Sequence, residues 1–266
     1  MIESQHNTPL VRSISIQLRV ISALLMREIL TRYGRHNVGF LWIFLEPMTF
    51  TVGVTTLWNL VKAEHVASIS ITAFALTGYS AVLVWRNCTT RCALAILPNQ
   101  SLLYHRNVRV VDFFWARILL EISGATMSCI ILSVIYIIVG WMEPPKDISL
   151  VLAGWLYLSV FGAALALTIG SLTERSEMVE RLWHTIAYLV FPLSGSAFMV
   201  EWLPEAWRKY ALLVPMVNGT EMLRAGFFGS VVKTHYDVTY MVFVDATLLF
   251  VGLFFTREAG KRVQPD

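Results

Sequence analysis

Charge is what this 266-residue chain has little of: Asp, Glu, Lys and Arg together make up 15% of it, against about 25% in a soluble domain. The apolar share is 56% and the mean hydropathy is +0.61. An ordinary soluble globule is excluded. Signatures of chemistry are missing as well. There is no G-x-x-x-x-G-K-[ST], so the chain has no P-loop to cradle a nucleotide phosphate. H-E-x-x-H, G-x-S-x-G and a clustered Asp/His set are absent, which leaves no catalytic residue to name. Cysteine is sparse, at Cys88, Cys92 and Cys129. Cys88 and Cys92 are spaced to share a helix face, but no His, Cys or carboxylate stands nearby to complete a metal site. No metal is expected, and small buried apolar roles fit all three. Met1 to Arg19 is polar and basic, without the apolar core of a cleavable signal peptide. No two halves resemble each other as the halves of many secondary carriers do.

What is abundant is long apolar runs, and crossing a hydrocarbon layer takes roughly 20 residues of helix. Six such runs can be read: about Val38 to Leu60, Ile69 to Trp85 with a continuation past Arg86 and Arg91, Ile118 to Trp141, Ile148 to Leu172, Leu182 to Val200 and Val238 to Thr256. They lack the strict alternation of membrane-barrel strands. The expected fold is therefore all-α, a polytopic membrane protein with six transmembrane helices. With the N-terminus placed in the cytoplasm, fifteen Lys and Arg fall on the inner side and six on the outer. That bias predicts both termini inside. A net charge of +3 spread along every inner segment speaks for topology and anionic lipid contact, not for nucleic acid.

The stretches between the runs are informative. Leu10 to Tyr33 carries Leu18, Ile21, Leu25 and Ile29 at helical spacing, with Arg19, Arg27 and Arg32 on other faces. It reads as an amphipathic helix lying in the inner interface, so residues 1–37 are expected to be a cytoplasmic interface helix. Residues 38–257 then form the membrane domain, and 258–266 a cytoplasmic tail. Between the second and third runs, "SLLYHRNVRVVDFF" mixes apolar and charged residues, as a solvated loop or a surface that docks a partner would. The segment from Phe198 to Asp237 is too long for a turn, and its apolar stretch is too short to span. A re-entrant or interfacial helical hairpin fits it, either as a packed external cap or as a gate.

Charges inside the runs are costly and often functional. Glu46 either joins a structural ion pair or handles a substrate, and Pro47 removes a backbone donor beside it. Arg86 and Arg91 line a wet passage if the second helix continues beyond Trp85; if it ends there, they are anchors. Asp245 and Glu121 are expected to find partners within the bundle. Gly162, Ala166 and Gly170 form a stripe of small residues suited to close helix packing.

The blocks "REILTRYGRHNVGFLWIFLEPM", "ALTGYSAVLVWRNCTTRCALAILPNQSLLYHRNVRVVDFFWARILLE" and "FPLSGSAFMVEWLPEAWRKYALLVPMVNGTEMLRAGFFG" resemble, in that order, the ABC-2 permeases of the capsular polysaccharide export family. Similar blocks occur in O-antigen and teichoic-acid exporters. The resemblance implies a homodimer of six-helix permeases joined to two cytoplasmic ATPase subunits, which bind ATP and Mg; this chain holds no cofactor itself. It implies a bacterial inner-membrane location, a lipid-linked polysaccharide substrate and envelope-spanning export partners. A coupling segment at about 97–112 would seat Leu103, Tyr104, His105, Arg106, Asn107 and Val108 in an ATPase cleft. An outer gate at about 201–230 would include Glu201, Trp202, Pro204, Pro215 and Asn218. A sliding polymer calls for stacking rings and hydrogen bonders. Trp42, Phe44, Glu46, Tyr79, Trp85, Arg86 and Arg91 are the candidate lining, and arginines suit acidic sugars or a phosphate linker; singly, each aromatic also fits a lipid-facing belt. The alternatives are an exporter of another glycolipid, such as O-antigen or teichoic acid, or of a lipid or drug.

Overall fold

The computed structural model describes residues 10–34, 37–61, 69–93, 95–104 and 107–263. The described residues are all-α. The helices are α1 (Leu10–Tyr33), α2 (Asn37–Val61), α3 (Ile71–Cys92), α4 (Val110–Ile138), α5 (Ile148–Thr173), α6 (Glu177–Phe191), α7 (Glu205–Leu212), α8 (Pro215–Phe228) and α9 (Val238–Val263). Short 3-10 turns cover Leu97–Tyr104, Val200–Trp202 and Gly229–Val231, and a π turn follows α6 at Pro192–Ser196.

Among the described residues, four helices are long and apolar enough to cross a membrane: the part of α2 from Leu41 to Val61, α4, α5 and α9. The other two expected spans, α3 and α6, differ for physical reasons. Helix α3 continues past Trp85 to Cys92 and carries Arg86 and Arg91. It is the central post of the molecule, with every residue from Thr72 to Trp85 buried, so its polar groups face protein. Helix α6 has only 15 residues and gives way to the π turn, where Gly195 takes φ +80°, a conformation that suits glycine. Helix α4 begins earlier than the apolar run from Ile118, because Asp112 and Arg117 in its first turns are paired with α1. Helix α9 runs on to Val263, so the described part of the expected tail from residue 258 is its last turns.

Local sequence sets the ends. Ser70 and Asp147 begin α3 and α5 by accepting from Ala73 N–H at 3.4 Å and from Ser149 N–H at 2.9 Å. Small residues set the packing. A Cβ at Gly162 would stand 2.8 Å from the Cα of Trp85, and Ala166 is fully buried; the α5 stripe lets α3 approach closely. Helix α9 lies along α5 in the same direction, with Gly252 against Ala164 and Thr256 hydroxyl-bonded to Ser171 at 2.9 Å.

Candidate functional site

Helices α2, α3 and α6 enclose a groove. A cavity of about 260 Å³ is lined by Glu46, Pro47 and Phe50 of α2 and by Leu83, Arg86, Asn87, Thr90 and Arg91 of α3. Deeper along α3, Phe50, Tyr79 and Phe191 form a ring cluster, with centroids 6.0 Å apart for Phe50–Tyr79 and 5.4 Å for Tyr79–Phe191. The Arg86 guanidinium lies 4.5 Å from the centre of the Tyr188 ring, a cation–π contact. No carboxylate among the described residues pairs with Arg86. Stacking surfaces beside an uncompensated cation can hold a sugar ring or an anion.

At one end of the groove, three acids and three bases from four helices form one network. Glu28 of α1 pairs with Arg32 at 2.9 Å and with Arg117 of α4 at 3.0 Å. Glu121 of α4 pairs with Arg32, and with Arg91 at 3.6 Å. Arg91 reaches Glu46 of α2 at 2.9 Å, and Arg117 donates to the Arg91 carbonyl at 2.6 Å. The set is neutral overall, which is how charge survives in a poorly hydrated place. It ties α1 to the wall of the groove. Two further clamps hold α1: Arg27 donates to Asn99 at 2.5 Å, and Gln17 donates to Asp112.

At the opposite end of the bundle, α7 and α8 form a hairpin. Helix α8 runs antiparallel to α5, with Gly226 against Val151, Gly154 against Leu223 and Gly219 against Tyr157. The Tyr157 hydroxyl donates to the Pro215 carbonyl at 3.1 Å, roughly ten residues along α5 from its Asp147 cap. At 1.5 Å per residue the hairpin tip lies about 15 Å along the apolar helix α5 from that cap, half of the roughly 30 Å that a hydrocarbon layer measures. Backbone at that depth must be satisfied by protein. The tip meets the requirement with side chains: Asn218 donates to the Leu212 carbonyl at 2.7 Å and Tyr240 to the Leu213 carbonyl at 2.7 Å. The two limbs are held differently. Helix α7 has no buried residue. Helix α8 is pinned by Arg224, which is 0% exposed and donates to the carbonyls of Gly195 and Phe198 at 2.7 Å and of Ser196 at 3.0 Å. Glu221 accepts from the Val200 and His235 N–H groups at 3.2 and 3.1 Å. Outside the hairpin, Glu201 pairs with Arg208 at 2.9 Å and His235 at 2.6 Å. The His235 hydrogen bond holds the Glu201 carboxyl below its usual range.

The family follows from sequence comparison. A family model described as ABC-2 type transporter matches residues 19–228. The chain belongs to the ABC-2 type transporter family. It is 44% identical to the capsule polysaccharide export inner-membrane protein CtrC of Neisseria meningitidis serogroup B, over 98% of both chains. To the capsule polysaccharide export inner-membrane protein BexB of Haemophilus influenzae it is 39% identical, over 96% of both. To the polysialic acid transport protein KpsM of Escherichia coli it is 24% identical, over 91% of this chain and 95% of that one.

In this ABC-2 chain the expected lining residues separate. Glu46, Tyr79, Arg86 and Arg91 come together at the groove. Trp42 lies two turns before Phe50 on α2 and is exposed, and Phe44 is half-buried. Trp85 departs from the lining: it is 1% exposed and packs into the core, because Gly162 lets α5 sit against its backbone. Arg91 is shared between Glu46 and Glu121 instead of standing free. Of the expected coupling residues, Leu103 is buried, Tyr104 and Asn107 are exposed and Val108 is half-buried; His105 and Arg106 lie outside the described residues. Of the residues expected at an outer gate, the Trp202 ring lies tilted 5.0 Å from that of Phe74, Pro204 precedes the first turn of α7, and Pro215 opens α8. Among the described residues no group of three or more His, Cys, Asp or Glu is placed to hold a metal. Sequence reasoning missed Phe50, Tyr188 and Phe191 around Arg86, and the Glu221–Arg224 pair in α8. The spacing of Glu221 and Arg224, one turn apart in a short apolar helix, was the available signal.

Proposed function

We propose that this chain is the membrane permease of an ATP-driven exporter that carries lipid-linked capsular polysaccharide across the bacterial inner membrane. The likeness to the capsule polysaccharide export inner-membrane protein CtrC over nearly the full length of both chains carries the proposal. The groove supports it physically, since rings at Phe50, Tyr79, Tyr188 and Phe191 offer contact area to a passing sugar chain without fixing one pose. Arg86 supplies a charge for acidic sugars or a phosphate-bearing lipid end.

Two copies would face each other across α2 and α6, which border the groove and expose Trp42, Leu57, Leu182 and Leu189. Both termini lie in the cytoplasm, where a separate ATPase subunit binds ATP and Mg and docks on the exposed side of Leu97–Tyr104 and on Asn107. Envelope-spanning partners take up the polymer beyond the membrane. The outer hairpin is the exit gate, opened by movement of α7 while α8 stays fixed. The test is a deletion strain examined for polymer retained in the cytoplasm and complemented with wild type or Arg86→Ala. Retained capsular polymer, cleared by wild type and cleared slowly by Arg86→Ala, supports the proposal. Normal surface polymer in the deletion strain, or accumulation of a different glycolipid, refutes it.

A further inference from the structure

We propose that the cleft between the first turn of α4 and the last turns of α9 binds the headgroup of an anionic phospholipid. The cleft encloses about 440 Å³, within the size range of roughly 300–1,000 Å³ typical of ligand pockets. Arg109, Val110 and Val111 line it from the start of α4, and Leu253, Arg257 and Lys261 from one face of α9, so cations and apolar surface share the cleft. No carboxylate lines it. The acids at this end are engaged elsewhere. Asp112 accepts from the Arg109 backbone N–H at 2.8 Å and from Gln17. Glu258 accepts from Lys261 at 2.8 Å. Neither Arg109 nor Arg257 has a carboxylate partner among the described residues. Two guanidinium groups therefore face one cavity without a carboxylate ion pair among the described residues, the arrangement that takes a phosphate bidentately.

The apolar surface identifies the occupant. Leu253 of the cleft belongs to an exposed apolar face of α9 that continues through Phe250 and Phe254, with Leu119 exposed on α4. A phosphate headgroup held by the arginines would lay its acyl chains along that face. An acidic protein surface would use the cations and leave the apolar residues bare. Basic pockets between helices at the inner membrane surface take anionic headgroups in this way. No residue of α2, α3 or α6 lines the cleft, so it is separate from the Arg86 groove and the inference does not depend on what the groove carries.

The test uses the purified full-length protein, mixed with equal amounts of phosphatidylglycerol and phosphatidylcholine of matched chains, and native mass spectrometry of what stays bound. The wild type should keep phosphatidylglycerol in preference, with about a fivefold loss for each cation removed in R109Q, R257Q, K261Q and the triple variant. Equal retention of the two lipids by the wild type overturns the proposal without recourse to any variant. A preference that survives the triple substitution also overturns it, by placing the lipid elsewhere. Glycerophosphate without acyl chains should displace phosphatidylglycerol poorly; displacement at equal concentration would make this a site for soluble phosphates and refute the lipid assignment. A cross-link from Arg257→Cys to a cytoplasmic subunit in whole cells would show a protein covering the cleft, and would likewise refute it.

Discussion

Arg224→Met tests how α8 is held. The guanidinium is fully buried and donates to three carbonyls of the segment after α6, those of Gly195, Ser196 and Phe198. Methionine is unbranched and of similar length, so the cavity left behind is small and the hydrogen-bond loss dominates. Each carbonyl left unpaired away from water costs ~1–3 kcal/mol, or about 3–9 kcal/mol for three. Removing the buried cation also relieves its desolvation, and its Nε is already without a partner. The lower part of the range is therefore expected, about 3–5 kcal/mol. For a chain of this size ~1 kcal/mol moves the melting temperature by about 2–4 °C, so a fall of roughly 10 °C should be seen. Thermal unfolding of the purified protein by tryptophan fluorescence measures it, and amide exchange locates it: α8 should lose protection while α1 keeps it. Arg224→Lys keeps the charge but offers one compact ammonium to three carbonyls, and should fall between. A melting temperature for R224M within about 2 °C of wild type would refute the pinning of α8.

Glu121→Gln should cost about 1.5–3 kcal/mol, because it removes charge-assisted bonds at a carboxylate only 10% exposed, while Arg32 keeps Glu28. Glu46→Gln, at a carboxylate 50% exposed, should cost about 0.2–1 kcal/mol; equal melting temperatures for the two variants would contradict the buried network. In the Leu97–Tyr104 segment, Leu103→Ala should destabilise by about 2–5 kcal/mol, since Leu103 is 6% exposed. Tyr104→Ala, at a ring 77% exposed, should leave melting unchanged and lower ATP-driven export, and wild-type export in that variant would remove Tyr104 from the docking surface. The Glu201 carboxyl is held below its usual range, so its pairing is intact at neutral pH and is lost only as pH falls through that lowered value. Protection of residues 200–212 in hydrogen exchange should be flat from pH 8 to 5 and drop below about pH 4, and a drop between pH 7 and 6 would contradict this assignment.

Much of the fold could be read from hydropathy, because each of the six apolar runs falls within a helix or overruns one of its ends. The errors cluster where a charge has a partner far along the chain. Asp112 and Arg117 delayed the expected start of the third span, yet Gln17 and Glu28 of α1 satisfy them. Arg224 counts as a basic residue of an outer segment by sequence, while in the fold it is buried against the π turn. Trp85 looked like a groove residue from its place beside Arg86; only the approach of Gly162 shows which way it packs. Glu46 is the contrasting case, since its pairing with an arginine was one of the two roles its depth in the span allowed. Composition reveals that a buried charge needs compensation, but the partner is set by tertiary contact.

The most direct test of the central claim, that this chain is a conduit driven by a separate ATPase, is transport in proteoliposomes loaded with labelled lipid-linked capsular polymer. Purified chain reconstituted with its ATPase partner and ATP should move the polymer across the bilayer, and neither the chain alone nor the complex without ATP should do so. Uphill movement of polymer by the chain alone would contradict the account.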